Sequence, residues 1–147
     1  MAKDKKVRSA QAKGSGGKAA TAAAGSNAAR KAVVRNIVEE PWQQFPGHFG
    51  GALSKALVRP ETAGSRLVDY RISTYQPMAY VEMHTHEVQE QIYHVLDGEG
   101  MMEFGGEQRI VRRHDVIFIP PGVPHKITNN GLGDLTFIVV TTPVKDR

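Results

Sequence analysis

Turn signals interrupt this chain so often that they constrain its fold more than any other feature. From Val33 to Val140 the runs rich in β-branched and aromatic residues are short, and Asp97-Gly98, Gly105-Gly106, His114-Asp115, Pro120-Pro121-Gly122 and Asn129-Asn130-Gly131 separate them. No long stretch repeats its apolar residues with a 3.6-residue period, so helix content is expected to be low. The predicted strands are Val33–Val38, Lys55–Arg59, Arg66–Tyr75, Tyr80–His86, Gln91–Leu96, Gly100–Phe104, Gln108–Val111, Val116–Ile119, His125–Asn129 and Leu135–Val140. A turn is expected at Glu61–Ser65, and Trp42, Phe45 and Phe49 fall in a Pro/Gly-rich loop over one end of the core. Many short strands with frequent turns make an all-β sandwich or barrel.

Charge divides the chain in two. Residues 1–32 carry eight Lys or Arg against Asp4 alone, a net +7, with eleven Ala and no aromatic residue. Such a segment cannot bury enough apolar surface to offset its ordering entropy, so a disordered tail is expected, either a plain solvated extension or a weak nucleic-acid contact. Residues 33–147 carry a net −3, which does not suit a nucleic-acid-binding surface. No apolar run nears the roughly 20 residues that span a bilayer. A cytoplasmic setting is the expectation. With no cysteine in the chain, any metal must be held by nitrogen and oxygen.

His84-Thr85-His86 is the first chemical signal. Residues two apart on a strand face the same way, so both imidazoles aim at one side of the sheet, close enough to share an ion. A turn over Glu87–Glu90 returns Gln91 beside them on a neighbouring strand, where its amide oxygen is a neutral ligand. Glu90 competes for that role. Pro120-Pro121-Gly122-Val123-Pro124 is a stiffened approach that aims His125.

These motifs resemble the cupin family. His84, His86, Gln91 and Gly98 match the first cupin motif, with Gln91 where the motif has Glu, and Pro120, Gly122, His125 and Asn129 match the second. Met78 and His114 stand where the motifs have Gly. The resemblance implies a double-stranded β-helix barrel over residues 33–147 with one divalent ion inside, held by His84, His86, Gln91 and His125. Three imidazoles and an amide oxygen suit Fe, Mn, Ni, Co or Zn, and an ion that prefers six ligands keeps two open positions.

Strand parity then turns Tyr80, Glu82, Tyr93, Val95 and Ile127 inward, with Tyr93, Glu82 and Tyr80 as candidate acid–base or orienting groups. His94 faces out, His48 and His114 fall in loops, and Arg109, Arg112 and Arg113 form a solvated edge. The expected activity is that of a metal-dependent enzyme acting on an oxygen-rich organic anion, with dioxygenase chemistry placed ahead of isomerase or lyase. A non-catalytic ligand-binding protein is the alternative. A homodimer, pairing through its sheets or the strand edge at Val33–Val38, completes the expectations.

Overall fold

The computed structural model describes residues 31–146. Apart from Lys31 and Ala32, the tail expected over residues 1–32 lies outside them. Two antiparallel five-stranded sheets face each other. The first contains β1 (His48–Phe49), β4 (Tyr80–Val81), β9 (His125–Thr128), β6 (Glu99–Phe104) and β7 (Glu107–Arg112), in that order. The second is ordered β2 (Ala52–Val58), β3 (Asp69–Tyr75), β10 (Leu135–Thr142), β5 (Glu90–Asp97) and β8 (Val116–Ile119). This is the double-stranded β-helix that the cupin resemblance implies, within the all-β class that the turn density predicts.

The second sheet is the floor on which the site is built. Along β10, Leu135, Phe137, Val139 and Thr141 point inward, and the intervening residues point out. Two inward rows cross the sheet at the site. One runs Asp69–Thr141–Gln91–Ile119, the next Arg71–Val139–Tyr93–Ile117. Large side chains (Tyr75, Phe137, Met102, Ile127 and Leu135) fill one end of the sandwich. On β2 and β3 the inward residues include Ala52, Ser54, Ala56 and Ser73, too small to fill the space above them, and Ser54 and Ser73 spend their hydroxyls on each other at 2.7 Å.

Motif residues outside the site brace the frame. Gly98 turns the chain from one sheet into the other with φ +80°, and a Cβ there would lie 2.4 Å from the carbonyl oxygen of Asp134. Asn129 is fully buried; its Nδ2 donates to Tyr75 O (2.7 Å) and Gly133 O (2.8 Å), and its Oδ1 accepts from Gly131 N (2.9 Å). Met78 and His114, the two places where the motifs would have glycine, are the non-glycine residues with positive φ among the described ones, at +70° and +76°. A left-handed L-residue costs roughly 1–2 kcal/mol, and glycine's larger unfolded-state entropy returns part of that. Met78→Gly and His114→Gly should each raise stability by up to about 1 kcal/mol in urea unfolding, because both side chains are exposed and lose no packing.

Several expectations need correction. Val33–Val38 is not a strand: residues 33–36 are irregular and Ile37–Glu39 is one turn of 3-10 helix, capped by the Asn36 side chain. Its apolar residues are exposed on every side, and it offers no edge for pairing. The turn expected at Glu61–Ser65 is a short helix, α1 (Pro60–Ala63), with Pro60 at its first position and Gly64 in the left-handed region at its end. The predicted strand Tyr80–His86 breaks after Val81. Phe49, expected in a loop, lies in β1 and stacks on Tyr80.

Candidate metal centre

The break after Val81 does not scatter the histidines. His84 makes an isolated bridge to His125, with backbone bonds of 3.0 and 2.9 Å in both directions, which fixes the two residues side by side. The Pro120–Pro124 loop is tied to the same place, because Gly122 N donates to His86 O at 2.8 Å. The ring centroids lie 4.2 Å apart for His84 and His125, 5.1 Å for His84 and His86, and 5.6 Å for His86 and His125. One nitrogen from each ring lies within 4.8 Å of the other two. Gln91 joins them from the opposite sheet, its Oε1 2.9 Å from His125 Nε2. Glu90 is exposed on the other face of β5, so Gln91 is the inward residue of the pair.

The hydrogen bonds decide which nitrogens are free. His84 Nδ1 is 2.8 Å from Glu82 O, and His125 Nδ1 is 2.9 Å from Val123 O. A carbonyl only accepts, so both Nδ1 atoms carry the proton and both Nε2 atoms keep a lone pair. Burial lowers the pKa of both rings, His125 to about 4, so both are neutral at physiological pH. His125 Nε2 and Gln91 Oε1 are then two acceptors in contact. The amide is turned this way by its own Nε2, which donates to Thr141 Oγ1 at 3.1 Å. His86 faces Asp146 Oδ2 with its Nδ1 at 3.5 Å, and its buried Nε2 has no hydrogen-bond partner. Lone pairs turned toward one another, plus an orphaned buried ring nitrogen, are a donor set that a divalent cation would satisfy.

Asp146 borders the cluster, a neighbour that the sequence does not disclose. Its Oδ1 accepts from the backbone amides of Glu87 (2.9 Å), Val88 (3.0 Å) and Gln89 (3.2 Å), while its Oδ2 faces His86. Those amides, with His86 beside them, hold its carboxyl below the usual value. Gln89 secures the same segment by donating to Pro143 O (2.9 Å) and Val144 O (3.0 Å). Asp146 is 57 to 59 residues from the amides it accepts from, and a lone acid carries no pattern. Asp146→Asn keeps an acceptor for the amides and loses the charge beside His86; metal affinity should fall about tenfold in a chelator-competition titration.

A cavity of about 420 Å³ opens beside the cluster, a size that suits a small metabolite. Its wall includes His84, His86, Gln91, Tyr93, Arg59 and Arg71. The parity argument holds for Tyr93, which is buried, stacked on Phe137 and set edge-on to His125. It holds in part for Glu82, which lines the cavity but is exposed. It fails for Tyr80, which packs against Phe49 and under the Lys126 ammonium instead of lining the cavity. Because the strand ends at Val81, parity cannot be carried from His84 back to Tyr80, and Val81 is the residue that turns inward. His48 is no bystander: it lines the cavity, with Nδ1 2.9 Å from Pro46 O.

Comparison with known proteins agrees with this geometry. The cupin-domain family model matches residues 71–141. An uncharacterized protein of Methanocaldococcus jannaschii is 39% identical over 61 residues, 42% of this chain and 49% of that protein. An oxalate-binding protein of Thermotoga maritima is 38% identical over 64 residues, 44% of this chain and 53% of that protein. The matches thus span about half the length of these curated relatives. The crystal structure of a predicted oxalate decarboxylase of Thermotoga maritima superposes with a TM-score of 0.69 at 26% identity, covering 76% of this chain and 99% of that one. A small-molecule enzyme or binding protein is the functional class these likenesses support. Two facing five-stranded sheets, both histidine motifs and the family-model match over residues 71–141 together show a cupin domain in this chain.

Proposed function

We propose that this protein is a metal-dependent enzyme that acts on a small oxygen-rich organic anion, with one divalent ion held by Nε2 of His84, His86 and His125 and by Oε1 of Gln91. The observation that carries this reading is the convergence of those four lone-pair donors beside the cavity, with three ring Nδ1 atoms facing Glu82 O, Val123 O and Asp146. The bound ion would supply Lewis acidity to a ligand carboxylate or carbonyl oxygen. All four donors are neutral, so they leave the ion's charge uncancelled, which favours an anionic ligand.

Among reactions, we place lyase chemistry on a carboxylate ahead of the dioxygenation favoured by the sequence. Support comes from the two Thermotoga maritima relatives, one named for binding oxalate and one for decarboxylating it. Tyr93 serves here as a donor. Burial raises its pKa well above that of an ordinary phenol, so it stays protonated and can hydrogen-bond a ligand oxygen. Glu82, at the exposed side of the cavity, is the group able to exchange a proton with solvent. The thinness of this set, with Tyr80 turned away, favours a second reading in which the protein holds its ligand without turnover.

The test is an oxalate titration of manganese-loaded protein, followed by calorimetry and by the manganese resonance line shape. Oxalate should bind the loaded form and not the stripped one, and carbon dioxide release would distinguish a lyase from a holding protein. Oxygen uptake by the iron form would restore the dioxygenase reading. Oxalate affinity that ignores the metal would sink the proposal.

A further inference from the structure

The same cavity carries a second polar cluster that metal binding does not use. Asp69, with its side chain 5% exposed, accepts two bonds from Arg71, Nε to Oδ1 and Nη2 to Oδ2, both at 2.7 Å. Arg59 adds its Nε 3.0 Å from Oδ2 of the same carboxylate, sealed from solvent and outside hydrogen-bonding geometry. One carboxylate therefore serves two guanidinium groups. Both arginines line the cavity, and both stand over the Phe45 ring, Arg71 at 4.4 Å and Arg59 at 5.9 Å, which dehydrates one face of each and limits their rotation.

Asp69 needs only one such partner, and Arg71 already satisfies it bidentately. The remaining acids do not absorb the second charge. Glu61 is 3.7 Å from Arg59 Nε but 69% exposed, where water screens it. Glu82, the other carboxylate in the cavity wall, lies beside Gly47, with its Oε2 3.7 Å from where a Cβ would stand. Arg71 Nη1 and both terminal nitrogens of Arg59 make no hydrogen bond to another described residue.

We propose that Arg59 and Arg71 form an anion subsite that takes the far carboxylate of a ligand whose near end is chelated at His84, His86, His125 and Gln91. This rests on the metal reading above and adds the substrate class, a compact dianionic organic acid. The sheet register sets the spacing. Asp69 and Gln91 occupy one inward row with Thr141 between them, two strand spacings or about 10 Å apart at Cα. With long side chains reaching in from both ends, the gap between the two sites fits a few carbon atoms. Arg71 and Tyr93 share the next inward row with Val139 between them, and both line the same cavity as His84 and His86.

Two acids provide the test: malate and 2-hydroxybutanoate share a chelating hydroxy-acid head and differ by a terminal carboxylate against a methyl. Each is titrated by calorimetry into the manganese-loaded full chain, with metal content measured on the same samples. Malate should bind at least about tenfold tighter. Arg59→Gln should reduce that preference, and so should Arg71→Gln combined with Asp69→Asn, which leaves the buried pair neutral and hydrogen-bonded. Neither change should alter manganese content or 2-hydroxybutanoate affinity. Equal affinities in the parent, a preference that survives both changes, or binding of neither acid by a metal-loaded chain overturns the subsite. A chain that takes up no manganese fails instead at the metal reading, and the dianion proposal falls with it.

Discussion

His84→Ala should fold normally and lose its metal. The bridge that joins residue 84 to residue 125 is made of backbone bonds, which alanine keeps, and the His84 ring is only partly buried. What disappears is one of three imidazole nitrogens set within 4.8 Å of each other. Losing a group that merely orients a ligand lowers metal affinity about 10- to 100-fold, and losing a ligand should cost more. Mass spectrometry on chelator-free protein should find about one first-row metal per chain in the parent and less than about a tenth in the variant. His94→Ala is the control, because His94 pairs with Val116 on the outer face of β5 and should leave metal content unchanged. Full metal content in His84→Ala would move the site elsewhere.

Gln91→Glu should act in the opposite direction. The side chain keeps its length, and the Thr141 hydroxyl, which now accepts from the amide at 3.1 Å, can rotate to donate to a carboxylate. The new negative charge would stand in direct contact with the ion. Metal affinity should rise about 10- to 100-fold, measured by competition against a chromophoric chelator, and oxalate affinity should fall as the ion's charge is partly cancelled. Unchanged metal affinity would remove Gln91 from the ligand set.

Much of this site was legible in the sequence, for identifiable physical reasons. His84 and His86 are two residues apart, so they share a face even though the strand that justified the argument stops at Val81. Gln91 and His125 enter through motif spacing, and the register places them as the spacing implies. Tyr80 was misplaced because alternation is valid only while the strand continues. Val33–Val38 was misread because an apolar run predicts a strand only where a neighbour exists to pair with it. Arg59, Arg71, His48 and Asp146 were invisible as site residues for a different cause. Their roles come from being brought together across the sheet or along the 57 residues between Asp146 and Gln89, and no local pattern encodes such proximity. The two motif positions lacking glycine, Met78 and His114, were legible as backbone positions, and both adopt the left-handed conformation that glycine would accept without strain.

The ligand set divides between the two sheets, with His125 on β9 in one and Gln91 on β5 in the other. An ion held by both is therefore a further cross-link between the two layers. Its binding energy then becomes folding energy, worth about 2.7 kcal/mol when the free ion stands at a hundred times its dissociation constant. Stripped and loaded samples of one chain would follow different thermal unfolding curves, and the separation between them would measure metal affinity without any assay of activity.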